Sequence, residues 1–407
     1  DVYKRQIDDK LIEKCEKKLQ KQFERLEKNS LYNTEKVLRA FKKHKLALRH
    51  FNPTTGYGYG DEGRDTLNAV LADIFGAETA VYSPNIVSGT HAISLSLYGI
   101  LRPNDTFVSV TGAPYDTLAD VINGEGDGSL KDFGVKFDII PLKNNAIDKT
   151  AVKNYLSHNK PKIVFMQRSR GYEWRNALTI AEIEDAVSFI RSCGFLGCIF
   201  MDNCYGEFIN IKEPTEVGVD LIAGSAIKNI GGGIAPTGGY IAGKENYVKL
   251  VQNRLTAPSI GGEVGSYAFT YQYFYQGLFV APHTVKESLK GSLLAGAVLE
   301  ELGYETSPAL DEEAGDIIRA IKFHTEKELI AFINNIQQNS PVDSYVEVLP
   351  WDMPGYEDQV IMAAGCFVQG ASIELSADAP IKEPYIAYMQ GGLTYEHVKI
   401  ALKNLTF

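Results

Sequence analysis

The sequence predicts an α/β fold, with a large domain built on a mainly parallel sheet and a smaller C-terminal α+β domain. Three observations carry this expectation. Short apolar runs alternate with helical segments from about residue 66 to residue 224. The chain has 407 residues, 44% of them hydrophobic, which is enough for a large core and allows two or three domains. Beyond about residue 284 the regular alternation stops, and a long helix leads into mixed strands and helices.

Residues 8–28 read as an amphipathic helix, because Leu11, Ile12, Cys15, Leu19, Phe23 and Leu26 recur at helical spacing with Lys and Glu between them. Residues 1–50 form an N-terminal helical arm. They hold 15 Lys+Arg and 8 Asp+Glu, about +7, which leaves about -17 on the remainder of a chain with net charge -10. Acids are interleaved with the bases, so the arm is expected to lay its apolar stripe on the protein or on a partner subunit.

The large domain is expected over residues 51–285. Its helices are placed at 67–75, 90–100, 115–122, 149–157 and 180–192. Its strands are placed at 79–82, 106–110, 137–140, 162–166, 197–202 and 219–224. A sheet of this kind binds ligands at the carboxyl ends of its strands. The small domain, 286–407, follows the helix at 284–302 and is expected to hold strands 345–349, 358–363 and 371–375 and helices 325–337 and 394–404.

Composition excludes several function classes. A pI near 5.3 argues against a nucleic-acid-binding body. No apolar run approaches the 18 or so residues of a membrane helix. The charged N-terminus has no apolar stretch of the signal-peptide kind, and the expected location is the cytoplasm. Cys15, Cys193, Cys198, Cys204 and Cys366 are unpatterned, so reduced thiols are expected. The seven histidines form no ligand pair, and no metal is expected.

The chemistry concentrates at strand ends. Lys228 follows the apolar run 220–227 and precedes the glycine-rich stretch 231–239. Asp202 ends the apolar strand Cys198-Ile199-Phe200-Met201. Upstream, Ser88-Gly89-Thr90 opens a helix, where free N–H groups and the helix dipole suit an anion. Ser225 stands three residues before Lys228 and can add a hydroxyl to the same anion, while Tyr115 is placed to lie over a bound ring. A lysine for a Schiff base, an acid for a pyridine nitrogen and a phosphate cradle are what pyridoxal 5'-phosphate (PLP) needs.

This order resembles the fold-type-I PLP enzymes of the Cys/Met metabolism family, in particular its methionine gamma-lyase-like or "aluminium resistance" branch. The resemblance rests on residues 55–64, 87–92, 167–172, 202–208, 227–239 and 261–265, and on Gln390-Gly391-Gly392-Leu393-Thr394. It implies a PLP-dependent transferase fold, a homodimer or homotetramer with shared active sites, and an amino-acid substrate. It also implies that a tyrosine of the glycine-rich segment, Tyr59 or alternatively Tyr57, reaches the partner's phosphate.

Three departures from the better-known lyases stand out. Asp61 replaces an arginine, with Arg64 the nearest cation; Ile227 replaces a threonine before the lysine; and residues 387–392 lack the arginine that holds the substrate carboxylate. Arg168, Arg170 and Arg175 are the candidates to take that last role. The implied function is α,β- or α,γ-elimination from a cystathionine-, cysteine- or methionine-like amino acid. Catalysis would fall to Lys228, Asp202 and Tyr115. Transamination, aldol-type cleavage or a PLP-binding stress-tolerance role are the alternatives. A nicotinamide-dependent oxidoreductase lacks its glycine fingerprint, since the turn after Tyr82 reads Ser83-Pro84-Asn85-Ile86-Val87-Ser88-Gly89.

Overall fold

The computed structural model describes residues 7–353 and 356–406. In chain order these form α1 (Asp9–Lys18), α2 (Gln20–Lys43), α3 (Glu62–Phe75), β1 (Thr79–Ser83), α4 (Gly89–Ile100), β2 (Thr106–Ser109), α5 (Asp116–Asn123) and β3 (Lys136–Ile139). Next come α6 (Lys149–His158), β4 (Ile163–Gln167), α7 (Ile180–Ser192), β5 (Cys198–Asp202), β6 (Leu221–Ser225), β7 (Gly239–Gly243), α8 (Glu245–Leu255) and α9 (Gln272–Glu301). The last are β8 (Glu305–Ser307), β9 (Arg319–Lys322), α10 (Glu326–Gln338), β10 (Val360–Ala363), β11 (Ser376–Pro380), β12 (Ile386–Gln390) and α11 (Tyr395–Lys403).

The large sheet has the order β1-β7-β6-β5-β4-β2-β3. The pairs from β6 to β3 are parallel, and β7 runs antiparallel to both of its neighbours. Every residue of β4, β5 and β6 is buried, as expected for strands covered on both faces. Alternate side chains go to opposite faces. Val164, Met166, Ile199, Met201 and Ile222 join one core, and Ile163, Phe165, Phe200, Leu221 and Ala223 join the other. The second sheet, β10-β11-β12-β9-β8, is antiparallel throughout. The α/β class with a smaller α+β unit is thus the observed one.

Several elements differ from the sequence expectation. The N-terminal helix breaks at Leu19 and continues to Lys43. Its basic side chains meet acids of the body, with Lys14 on Glu301 at 2.6 Å and Lys36 on Glu216 at 3.1 Å. Its acids meet bases in turn, with Glu16 on Lys399 at 2.8 Å. The long helix begins at Gln272 and carries Pro282 inside it. β7 and α8 went unseen because β7 is flanked by glycines that read as a loop. Residues 345–349 are not a strand, since the Asn334 side chain bonds both the N–H and the carbonyl of Val348. Residues 371–375 turn instead of extending, and the strand begins at Ser376, because the Glu374 carboxylate takes the N–H groups of Phe367 and Val368. β8, β9 and β12 were also missed, being short runs without a clear period. Among the described residues no helix is long and apolar enough to cross a membrane.

Candidate active site

The carboxyl ends of β1, β2, β4, β5 and β6 lie at one edge of the large sheet, and the candidate residues follow from them. Asp202 is the last residue of β5, in register with Gln167 of β4 and Ala223 of β6. Its Oδ1 accepts the Cys204 N–H at 3.0 Å. Burial raises its pKa, against that N–H and the charge of Lys228. Lys228 lies three residues past β6. Burial alone would lower its pKa, but Tyr205, Cys204 and Asp202 outweigh it and the ammonium is favoured.

Ser88 caps α4, its Oγ accepting the His91 N–H at 3.0 Å. The first N–H groups of the helix therefore open toward the sheet edge with no intrahelical acceptor. Gly89 packs against Ser225 and Cys204, where a Cβ would come within 3.2 Å of the Ser225 Cβ and the Cys204 Sγ. A side chain at residue 89 would therefore crowd the approach of the turn to the end of β6. Thr90 Oγ1 lies 2.8 Å from the Tyr115 hydroxyl. The Tyr115 N–H bonds Gln167 Oε1 at 2.9 Å. Burial first, then the nearby Asp202, raises the Tyr115 pKa and keeps the phenol protonated.

Four groups near Lys228 were not singled out from the sequence. Tyr205 puts its ring 3.9 Å from Lys228 Nζ and its hydroxyl 3.1 Å from Ser372 Oγ. It does so from a left-handed backbone, φ 70°, the kind of strain that collects at functional sites. Cys204 touches both Asp202 and Gly89. Glu207, wholly buried, accepts the Tyr240 hydroxyl at 2.6 Å, and Asn203 Nδ2 donates to that hydroxyl at 3.3 Å. Asp378 of β11 accepts the Tyr172 hydroxyl at 2.6 Å and lies within the field of Lys228. The run 202–208, with a Cys, a Tyr and a Glu right behind Asp202, was the available signal for three of them.

The three arginines differ in their commitments. Arg168 is fully buried and bonds the Leu178 carbonyl, Asn203 Oδ1, the Gly206 carbonyl and Asn210 Oδ1 at 2.8–3.3 Å. Arg175 spends each of its nitrogens, on Glu173 and on the carbonyls of Asn176 and Ser169. Both side chains hold the framework. Arg170 uses only Nη1, on Ser307, and its buried Nε has no partner. Its charge acts on Tyr388, which sits in the 387–392 segment where an arginine was missing.

Tyr57 and Tyr59 are 73% and 69% exposed, their rings 5.7 Å apart. Gly56, Gly58 and Gly60 all take φ 66° and set the path of this segment. At Gly58 a Cβ would also meet the Ser266 backbone at 2.9 Å. Asp61 is structural: it caps α3 through the Arg64 N–H at 2.9 Å and accepts the Tyr271 hydroxyl at 2.8 Å. Arg64 is tied to Asp65 and to the Gly58 carbonyl.

The sequence model of the family described as methionine gamma-lyase matches residues 8–406. The chain belongs to that family. The protein YnbB of Bacillus subtilis (strain 168), described as uncharacterized, is 48% identical over 381 residues, 93% of this chain and 90% of its own. A carbon-sulfur lyase involved in aluminum resistance from Clostridium novyi NT is 48% identical, with a TM-score of 0.93 over 97% of this chain and 94% of that one. The pyridoxal-5'-phosphate dependent protein YhfS from Escherichia coli, at 16% identity, has a TM-score of 0.62 over 93% of this chain and 96% of that one, which bears on the fold alone. The fold of this methionine gamma-lyase family member is fold type I of the PLP-dependent enzymes.

Glu207 yields a test of the buried network behind Asp202. Burial pushes its pKa up to about 8 from 4.5. The folded protein therefore keeps it protonated where the unfolded chain has already ionised. Its cost to stability is absent below pH 4.5, grows with pH, reaches about 3 kcal/mol at pH 7 and levels off above pH 8. Glu207→Gln should therefore raise the urea midpoint at pH 8 and match wild type near pH 4.5. An equal gap at both pH values would mean that Glu207 does not titrate in this way.

Proposed function

We propose that the protein is a PLP-dependent carbon–sulfur lyase that eliminates a sulfur substituent from the β or γ carbon of an amino acid. The observation that carries this reading is the convergence of Lys228, Asp202, Ser225 and the α4 N-terminus at one sheet edge. These residues fit the cofactor. Ser88, the N–H groups of Gly89 and Thr90, and Ser225 would hold its phosphate, where a Cβ at residue 89 would crowd Ser225 and Cys204. Lys228 would hold its carbonyl, Asp202 its ring nitrogen, and Tyr115 would lie over its ring.

When bound, PLP supplies an electron sink for a carbanion at the substrate's α carbon. The chain's own residues do the rest. The freed Lys228 amine takes the Cα proton. Asp202 keeps the ring nitrogen protonated. Tyr115, protonated and steadied by Thr90, delivers a proton to the departing sulfur. Arg170, the least committed of the three arginines, pairs with the α-carboxylate. The thiol leaves with the proton from Tyr115, and hydrolysis of the remaining unsaturated amine by one water gives a 2-keto acid and ammonia.

Purified protein supplied with PLP should show a visible absorbance band that borohydride fixes to the chain, and Lys228→Ala should lose the fixation. A wild type with no band after PLP is added would end the reading. Arg170→Gln should raise KM for a sulfur amino acid about 10- to 100-fold, from the loss of a charge-assisted bond of ~1.5–3 kcal/mol. Unchanged KM would place the carboxylate partner elsewhere.

The exposed Tyr57–Tyr59 pair supports a functional unit of at least two chains, with Tyr59, or Tyr57 in its place, reaching the partner's phosphate. Mixing inactive Lys228→Ala and inactive Tyr59→Phe subunits should restore part of the activity through hybrid sites. An active monomer by light scattering would contradict this arrangement.

A further inference from the structure

The β11–β12 side of the cleft is built from tyrosines and one acid. Asp378 and Tyr388 are register partners on β11 and β12. The Tyr172 ring lies 5.2 Å from Tyr388 and 5.7 Å from Tyr356, at interplanar angles of 33° and 41°. The Tyr172 hydroxyl bonds Asp378 Oδ2, and Gln390 Nε2 approaches Oδ1 at 3.4 Å. Tyr172 and Tyr205 pack on the same apolar patch, which includes Tyr388, and Tyr205 carries the Lys228 ammonium on its ring. This wall therefore adjoins the reactive lysine. Tyr172, Tyr356 and Asp378 are all half-buried.

Ring faces beside a carboxylate attract compact cations, because the π face and the acid act in the same sense. A partly buried carboxylate also needs a cation nearby to offset its desolvation. Burial raises the Asp378 pKa, against the hydrogen bonds from Tyr172 and Gln390 and the field of Lys228, and the reading above commits that amine to the cofactor. Of the other bases, Lys382 pairs with Asp358 at 2.6 Å and Lys322 with Glu305 at 2.7 Å, while Arg170, whose charge acts on Tyr388, is committed by the same reading to the α-carboxylate.

We propose that Asp378, with Tyr172 and Tyr356 backed by Tyr388, selects amino-acid substrates whose side chain carries a compact organic cation, an ammonium or a sulfonium. Asp378 is the specificity-determining residue of this wall. The inference rests on the reading of Lys228 as the anchor of a PLP site.

The test uses matched ligands on the PLP-loaded protein, with dissociation constants from titration of the visible band and from calorimetry. S-methylmethionine against methionine probes a sulfonium, and lysine against norleucine probes an ammonium. In wild type at least one cation should bind about tenfold or more tightly than its neutral match. The pair that shows the preference identifies which cation the wall takes. Asp378→Asn should bring that ratio to near one and change affinity for the neutral ligand little. Tyr172→Phe, which keeps the ring and frees the carboxylate, should preserve the ratio. Ratios near one for both pairs in wild type would overturn the proposal without any variant, and so would a ratio untouched by Asp378→Asn. In both outcomes the cofactor band on Lys228 would persist and the lyase reading would stand. Absence of the band in wild type would sink both.

Discussion

An acid and a lysine buried within each other's field at one sheet edge are the constraint on which this molecule turns. Asp202 and Lys228 are both taken out of bulk water, and each offsets the other's desolvation. They share that edge because β5 and β6 are parallel neighbours, so that both strands end on the same side. The fold supports that edge from beneath. Asp220, at the opposite end of β6, accepts the Ile199 N–H at 2.7 Å and pairs with Lys244 at 2.7 Å and with Arg191. Each strand is thereby pinned where it begins, and its exit is free to carry chemistry.

Close approach is the second requirement, and glycine meets it. At Gly224 a Cβ would come within 2.7 Å of the Tyr240 ring, so that β6 can lie against the phenol that bonds Glu207. Behind Asp202, Arg168 ties the 203–210 turn to the 178 loop, and Glu207 ties the same turn to β7. The turn that presents Cys204 and Tyr205 is thus anchored from below. An arginine in this position contributes framework, and its charge is absorbed by carbonyl and amide oxygens.

Much of the site was readable along the chain. Asp202, Ser225 and Lys228 stand at the exits of unmistakable buried strands, and Ser88-Gly89-Thr90 opens a largely apolar helix. Where local signals are weak, sequence pattern and structure part. β7 hides in a glycine-rich stretch, and 345–349 has the alternation of a strand but gives its Val348 hydrogen bonds to a side chain. Asp378 could not be seen, because its meaning comes from Tyr172, which lies 206 residues away in sequence.

The sequence by itself determined the α/β class, the strand-end positions of the candidate site residues and the family, because burial period and turn chemistry are local properties. Tertiary structure alone decided which charged side chains are free. Arg168, Arg170 and Arg175 look alike in a row, yet one is sealed among oxygens, one is spent on its neighbours, and one keeps a nitrogen unpaired. That difference depends on which distant carbonyls and amides fold back onto each guanidinium. No spacing along a chain encodes it, since hydrogen-bond commitment is a property of the packed interior.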